Sequence, residues 1–203
     1  MSKYKFGPAY SYGLNKDPYC MWMGALSPEQ CEEIIKVGDS KHPRGATIND
    51  DPDNKINNIR RSKVSWLKEH DIPWLYERVE YIAQQLNGQY YDFDLWGLNE
   101  DLQYTVYEEG DKGFYSWHQD AFTTIKNNID QRLPRKFSLS FQLSDPNDYD
   151  GGDLLIHDGN QKKTPKHQGL AIAFPSWTLH SVTPVTRGVR RSLVVWCTGP
   201  RFR

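Results

Sequence analysis

This sequence lacks the features that would commit a chain to a membrane, to nucleic acid or to a disulfide framework. It has no long apolar run, and 25 basic against 26 acidic residues leave a formal net charge of −1. We therefore expect no general electrostatic attraction to nucleic acid or to an anionic membrane. Its three cysteines, Cys20, Cys31 and Cys197, are odd in number and widely spaced, which fits neither paired disulfides nor a zinc ribbon. The composition predicts a soluble, unprocessed cytoplasmic protein with a small or peptidic substrate.

Internal repeats and low-complexity segments are also absent, and 203 residues suit one β-rich domain. We expect support from helices and strands over residues 1–92 and a strand-rich core over about 93–200. Ser27-Pro28-Glu29-Gln30 predicts a capped helix start. A second helix is predicted from Pro73 to about Asn87, where Asn87-Gly88 is a stop signal. The polar stretch from His42 to Asn58 between the helices predicts a long exposed loop.

After Gly88 the pattern changes to short strands divided by turns, as expected for a sandwich or barrel-like sheet. The turn formers from Asp145 to Gly152 predict a solvated hairpin connection, because they lack the ligand spacing and terminal glutamate of a calcium loop. The predicted strands are Phe93–Leu98, Leu102–Tyr107, Phe137–Leu143, Asp153–His157, Leu170–Phe174, His180–Val185 and Ser192–Cys197.

The chemistry-bearing residues begin with His118 and Asp120, followed by a lone His180. In an extended strand, residues i and i+2 point to the same side, so this imidazole and carboxylate converge. The preceding residues from Tyr107 read as a strand, a Gly-containing turn and a second extended stretch, which places the pair at a strand end. Two histidines and one carboxylate form a facial triad for iron(II), with open positions for co-substrate and oxygen. An isolated His-x-Asp is common in solvated turns, so the metal prediction depends on this context.

Several segments resemble iron(II)- and 2-oxoglutarate-dependent dioxygenases of the prolyl-4-hydroxylase-like branch, close to the PKHD-type hydroxylases. The similarity covers most of Ser27 to Gly199 and includes Arg60-Arg61-Ser62 ahead of Trp66-Leu67. Its most specific pieces are Tyr107 to Asp120, the strand entry Gly151-Gly152-Asp153-Leu154, and His180 to Ser192. The resemblance implies a mainly β fold with flanking helices (α+β), namely a double-stranded β-helix, the cupin-like jelly roll.

By the same resemblance, iron(II) is bound by His118, Asp120 and His180. The far carboxylate of 2-oxoglutarate is bound by Arg190, with Ser192 adding a hydroxyl and Tyr107 lying beside the co-substrate. Tyr115 is expected to pack in the sheet rather than to contact the co-substrate. Gln142 departs from relatives that place a tyrosine on this strand to contact the far carboxylate, so that contact is either missing here or made by glutamine.

Two other arginines compete with Arg190 for the same role. Strand alternation turns Arg191 to the opposite face, and Arg187 is predicted to lie in the turn Thr186-Arg187-Gly188. A β-bulge would reverse the alternation. The sequence therefore favours Arg190, provided that the strand is regular.

The implied reaction couples oxidative decarboxylation of 2-oxoglutarate by O2 to hydroxylation of a C–H bond, with succinate and CO2 as co-products and ascorbate as a candidate reductant. Asp120 favours hydroxylation, since related halogenases have a small residue there. The leading substrate, by analogy, is a peptidyl proline or another amino acid in a peptide, a protein or free form. His42 to Asn58 and Ala121 to Lys136 are expected to face it, and the sequence leaves the oligomeric state open.

Three alternatives remain at this stage. A cupin-like metalloenzyme that does not use 2-oxoglutarate would have the same triad and would not need Arg190. A binding module that lost turnover is disfavoured by the complete triad and the basic residue. A nucleic-acid demethylase of the wider superfamily is disfavoured by the balanced charge and by the lack of an arginine pair six residues apart after Arg190 or Arg191.

Overall fold

The computed structural model describes residues 18–46, 58–121 and 134–200. Within these ranges the chain forms two helices, fourteen strands and a short 3-10 turn at Glu69–Asp71, so the predicted mainly β fold with flanking helices is confirmed. The helices are α1 (Pro28–Ser40) and α2 (Pro73–Tyr90). The strands are β1 (Cys20–Trp22), β2 (Arg44–Gly45), β3 (Arg60–Arg61), β4 (Lys63–Leu67), β5 (Gly97–Leu98), β6 (Leu102–Glu108), β7 (Phe114–His118), β8 (Arg135–Gln142), β9 (Tyr149–Gly151), β10 (Leu154–Asp158), β11 (Asn160–Lys163), β12 (Ala171–Pro175), β13 (Leu179–Val182) and β14 (Val185–Thr198).

The strands form two antiparallel sheets of unequal size. The larger sheet has the order β1-β12-β8-β14-β6-β4-β2, with β5 and β9 also paired to β14, and the smaller one has the order β11-β10-β13-β7-β3. A cluster that includes Tyr107, Ile156, Phe174 and Val182 joins side chains of both sheets. The two sheets therefore pack face to face as the predicted jelly roll.

Strands β6 and β8 are buried on both of their faces. Leu102, Tyr104 and Val106 of β6 belong to the core that also contains the buried side chains of α1 and α2. The residues between and after them, Gln103, Thr105 and Tyr107, point to the opposite face of the sheet, because successive side chains of a strand alternate between its two faces. The large sheet thus has an apolar face that packs on the helices and a buried face rich in polar groups, which is turned to the smaller sheet.

Both helices start as the sequence predicts. Ser27 N–H donates to Gln30 Oε1 at 2.9 Å and Gln30 N–H donates to Ser27 Oγ at 3.2 Å, which is the predicted capping box. Helix α2 begins at Pro73 but continues to Tyr90, so the predicted stop at Asn87-Gly88 was wrong by about one turn. The Asn87 side chain closes this end instead, because it bonds both the N–H and the carbonyl of Phe93 at 2.9 Å.

Three predicted segments differ from the structure. The strand predicted at Phe93–Leu98 is reduced to Gly97–Leu98, because Phe93 packs its ring on Phe137 and Tyr91 rather than extending the sheet. The strand predicted to run from His180 to Val185 ends at Val182, and β14 starts at Val185. The expected turn at Thr186-Arg187-Gly188 was therefore wrong: a register shift between Val185 and Arg187 carries the strand through it.

The expected solvated connection between Asp145 and Gly152 was also partly wrong. Its last part, Tyr149–Gly151, is β9 and pairs with β14, and Tyr149 is buried. Of the predicted loop from His42 to Asn58, Arg44–Gly45 pairs with β4, and residues 47–57 lie outside the described part. Residues 122–133 of the second predicted substrate-facing segment also lie outside it.

Two further observations concern the helices and the cysteines. Neither helix of the described residues is long and apolar enough to cross a membrane. Cys20, Cys31 and Cys197 are buried and free, as expected for a chain without a disulfide framework.

Gly38 allows α1 to approach the sheet closely, and its replacement tests this packing. A Cβ at Gly38 would lie 2.5 Å from the Tyr104 ring, so we expect Gly38→Ala to lower the free energy of unfolding by about 1–3 kcal/mol despite the better helix propensity of alanine. Gly88→Ala in α2 is the matched control, because nothing lies within 4 Å of its Cβ position. It should be neutral or stabilising by up to about 1 kcal/mol in urea unfolding. Equal effects of the two substitutions would contradict the proposed contact.

Candidate active site

His118, Asp120 and His180 lie together on the side of the smaller sheet that faces the larger one. The antiparallel pairing of β13 with β7 sets His180 opposite His118. His118 Nε2 lies 3.7 Å from Asp120 Oδ1, and His180 Nε2 lies 3.6 Å from Asp120 Oδ2. The prediction that the three side chains converge is therefore supported by their geometry, but β7 ends at His118, so Asp120 lies in the bend beyond it. The Asp120 N–H donates to Ser176 O at 2.8 Å, which fixes this bend.

Each histidine is held by a contact between its Nδ1 and the backbone carbonyl two residues before it. His118 Nδ1 lies 2.7 Å from Ser116 O, and His180 Nδ1 lies 2.9 Å from Thr178 O. A carbonyl oxygen can only accept, so each Nδ1 carries the hydrogen and each Nε2 has its lone pair directed elsewhere. Burial, followed by repulsion from His180, lowers the pKa of His118 to about 3. His118 is thus neutral at physiological pH, as a metal ligand must be.

The electrostatics of Asp120 complete a donor set that suits a divalent cation. Burial raises the pKa of this carboxyl, but the imidazoles of His180 and His118, the nearby Trp196 indole and a hydrogen bond from Ser138 outweigh burial and bring the net pKa below the ordinary value. The candidate donor atoms of the three side chains lie within 4.8 Å of one another. Two imidazole lone pairs and an ionised carboxylate at this spacing repel each other unless a cation lies among them, and imidazole with carboxylate suits iron(II).

A chain of two buried hydroxyls supports Asp120 from the larger sheet. Ser138 Oγ lies 2.8 Å from Asp120 Oδ2 and 2.9 Å from Ser176 Oγ. An ionised carboxylate only accepts, so Ser138 donates its single hydrogen to Asp120 and must accept the hydrogen of Ser176. The chain therefore runs in one direction, from Ser176 through Ser138 to Asp120, and holds one carboxylate oxygen in place.

Tyr115 reaches the site through an irregularity in β7. The register between β13 and β7 shifts between the pairs His180↔His118 and Val182↔Tyr115, which lets residues three apart share one face. The Tyr115 ring stacks on the His118 imidazole with centroids 3.5 Å apart, and Arg60 Cζ lies 4.6 Å from the Tyr115 ring centroid. Tyr115 therefore packs in the sheet as expected, and the partner it packs against is a candidate metal ligand.

Arg190 forms a second, separate feature of the buried polar face. Its side chain is 1% exposed, and it donates from Nη1 to Ser192 Oγ at 3.3 Å and from Nη2 to Gln142 Oε1 at 3.0 Å. Arg190 Cζ lies 5.3 Å from the ring centroid of Tyr107. No carboxylate of residues 18–46, 58–121 or 134–200 pairs with it, and its Nε has no hydrogen-bond partner there. A buried cation without a counter-ion is costly, so this arrangement fits a site for an anion.

The two competing arginines are committed elsewhere. Arg191 points to the helix side, as strand alternation predicts, and its Nη2 lies 3.2 Å from Asp39 Oδ2. Arg187 lies in β14 rather than in a turn, and its Nε lies 2.6 Å from Asp150 Oδ2 in an exposed ion pair. Only Arg190, among these three, is free to bind an anion on the inner face.

Sequence reasoning missed Ser138, Ser176 and Tyr149. Polar residues alternate with apolar ones along β8, but in an antiparallel strand this pattern indicates a solvent-exposed face, so the burial of Ser138 between the sheets could not be predicted from it. No comparable local pattern marks Ser176, which follows β12, or Tyr149, which lies in a run of turn formers.

Comparisons with known proteins agree with this geometry. Residues 102–198, from β6 to the end of β14, match the family model described as the 2OG-Fe(II) oxygenase superfamily. A PKHD-type hydroxylase of Paracoccus denitrificans is 37% identical over 91 residues, which are 44% of this chain and 39% of that protein. A PKHD-type hydroxylase of Paraburkholderia xenovorans is 41% identical over 91 residues, 43% of this chain and 38% of that protein. The chain thus matches about two fifths of the length of these relatives.

Solved structures extend the likeness of fold over nearly the whole chain. A Pseudomonas putida prolyl-4-hydroxylase matches with a TM-score of 0.68 at 19% identity and covers 92% of this chain and 95% of its own. A Trichoplax adhaerens prolyl hydroxylase, solved with a hypoxia inducible factor peptide fragment, matches with a TM-score of 0.71 at 17% identity over 91% of this chain and 85% of its own. At such identities these structures show a shared jelly roll alone. The sequence match over residues 102–198, just under half of the chain, and the PKHD-type relatives add a likeness of sequence to the 2OG-Fe(II) oxygenase superfamily.

Proposed function

We propose that this protein is an iron(II)- and 2-oxoglutarate-dependent dioxygenase that hydroxylates a C–H bond of a peptidyl proline or another amino-acid substrate, with succinate and CO2 as co-products. The observation that carries the proposal is the pairing of two features on one buried face. A triad of His118, Asp120 and His180 suits iron, and Arg190 is a buried cation without an ion-pair partner among the described residues. A metal alone would need only the triad, so the arginine indicates an anionic co-substrate.

Each residue has a definite task in this proposal. His118 Nε2, His180 Nε2 and Asp120 would hold iron(II), which with 2-oxoglutarate and O2 supplies the oxidising chemistry. Arg190 would bind the far carboxylate through its charge and through its Nε–H, which has no hydrogen-bond partner in the described part of the chain. Ser192 and Gln142 hold the guanidinium in place, and the Tyr107 ring flanks it. Ascorbate would act only as a reductant that returns the iron to the ferrous state.

The substrate assignment has separate support. Similar sequences include PKHD-type hydroxylases, and similar folds occur in prolyl hydroxylases, one of which was solved with a peptide fragment.

The proposal is tested by oxygen-dependent succinate release. Purified protein is loaded anaerobically with iron(II) and 2-oxoglutarate, then exposed to O2 with a panel of proline-containing peptides and free amino acids. Succinate formation that depends on iron and is stimulated by one substrate supports the proposal. Absence of succinate under every condition would refute it, and substrate oxidation without succinate would favour the cupin-like alternative.

Arg190→Lys distinguishes these alternatives directly. Lysine keeps the charge but loses the forked donors, so we expect the 2-oxoglutarate concentration for half-maximal succinate release to rise on the order of 10-fold or more, and Arg190→Ala to raise it on the order of 100-fold or more. Arg187→Ala, which removes an arginine of the same strand in an exposed ion pair with Asp150, is the control and should leave this concentration unchanged. A normal 2-oxoglutarate requirement in the Arg190 variants would contradict the assignment.

Ser138→Ala tests the hydroxyl chain behind Asp120. Within the described residues only the Ser138 hydroxyl donates to Asp120 Oδ2, so its loss should weaken cobalt(II) or iron(II) binding about 10-fold to 100-fold. Ser176→Ala should have a smaller effect, because the Ser176 hydroxyl reaches Asp120 only through Ser138 and the Ser176 carbonyl is retained. Ser140→Ala is the control, because Ser140 lies two residues along the same strand face and is buried to a similar degree. Metal affinities from anaerobic titration that do not follow this order would show that the chain does not position the carboxylate.

A further inference from the structure

We propose that the Tyr149 hydroxyl is the second donor to the far carboxylate of 2-oxoglutarate, beside Arg190. The inference rests on the proposed function, since it refines how the same anion is held. Tyr149 lies in β9, which contains none of the triad residues and is far from Arg190 in sequence.

The fold brings Tyr149 against Arg190. Strand β9 pairs with β14, and the register sets Tyr149 opposite Gly188, two residues before Arg190. Gly152 lies between the two side chains: a Cβ there would be 2.8 Å from Arg190 Cδ and 3.3 Å from Tyr149 Cε2. Gly152 also has φ +59°, a conformation that glycine adopts readily. The absence of a side chain at Gly152 therefore lets the tyrosine ring and the arginine stem pack together.

Both side chains present hydrogen-bond donors without acceptors. Tyr149 is 1% exposed, and its hydroxyl has no hydrogen-bond partner among the described residues. The same holds for Arg190 Nε. Burial raises the pKa of Tyr149 more than the charge of Arg190 and the close approach of its guanidinium to the hydroxyl lower it, so the hydroxyl keeps its hydrogen at physiological pH. Two buried donors side by side, without an acceptor, call for a ligand that carries negative oxygen atoms.

Two other polar side chains near Arg190 already have partners. Its Oε1 accepts from Arg190 Nη2 at 3.0 Å, so the glutamine orients the guanidinium. Lys166, whose Nζ lies 4.8 Å from the Tyr149 ring centroid, is itself paired with Asp153. Tyr149 is thus a nearby donor without a hydrogen-bond partner among the described residues, and a carboxylate is a group that can accept from it and from Arg190 together.

The arrangement predicts selectivity between 2-oxo acids. A five-carbon 2-oxo acid that ends in a carboxylate would satisfy both donors, whereas 2-oxopentanoate, which ends in a methyl group, would leave them unsatisfied. The Tyr149 hydroxyl should therefore contribute to the binding of the first compound and not of the second.

The test compares Tyr149→Phe with wild-type protein, both loaded anaerobically with iron(II). Binding of 2-oxoglutarate and of 2-oxopentanoate is measured by the absorption of the iron–2-oxo acid complex or by calorimetry. We expect Tyr149→Phe to raise the dissociation constant of 2-oxoglutarate about 10-fold and to leave that of 2-oxopentanoate unchanged. Tyr104→Phe is the matched control, because its buried hydroxyl bonds Asp39 on the helix side of the sheet, and it should change neither constant.

Thermal unfolding without ligand separates a binding role from a structural one. Removal of an unsatisfied buried hydroxyl should leave the Tm of Tyr149→Phe equal to or above that of wild type, whereas Tyr104→Phe loses a hydrogen bond and should have a lower Tm. A lower Tm for Tyr149→Phe with both 2-oxo acids weakened equally would overturn the inference. Unchanged 2-oxoglutarate binding in Tyr149→Phe would also overturn it and leave the proposed function standing, whereas wild-type protein that binds no 2-oxoglutarate would refute the proposed function itself.

Discussion

A shift of β14 by one residue between β6 and β8 would turn Arg190 toward the helices and Arg191 into the space between the sheets, because successive side chains of a strand point to opposite faces. The observed register sets Arg190 opposite Tyr107 and sets Ser192 opposite both Thr105 and Gln142. The partners that hold the guanidinium are therefore delivered by the same pairing that builds the sheet. Apolar residues such as Leu193 and Val195 fix this register, since any slip would expose them to the polar side and remove them from the helix-side core.

The candidate metal centre depends on contact between the two sheets rather than on either alone. His118 and His180 belong to the smaller sheet, whereas Ser138, which supports Asp120, belongs to the larger one. Asp120 connects them through its backbone N–H to Ser176 and its carboxylate to Ser138. A metal bound by this triad would hold the sheets together, so metal affinity and the stability of the folded jelly roll should be linked.

The sequence predicted those parts of the site that follow from local spacing. His118 and Asp120 are two residues apart, the Ser27 cap is a local motif, and the orientation of Arg190 against Arg191 follows from alternation. It could not predict what depends on pairing between distant segments. The shifted register of β7 that stacks Tyr115 on His118, and the irregular start of β14 that carries Arg187 into a strand, arise from cross-strand fit. Tyr149 was hidden for the same reason, because turn formers surround it while its burial comes from β14.

The chain has an overall charge of −1, but its interior carries an excess of positive charge. The buried charged residues of the described part are Arg60, Lys136, Arg190 and Asp120, three cations against one carboxylate. A metal cation would add to this excess, and burial makes the resulting field stronger than the same charges would produce in water. Because these four groups sum to +2, the remaining residues carry a net charge of −3, which disfavours binding to polyanions such as nucleic acid. The interior would instead favour a small, doubly charged anion, a preference that depends on where the charges lie and that no count along the sequence contains.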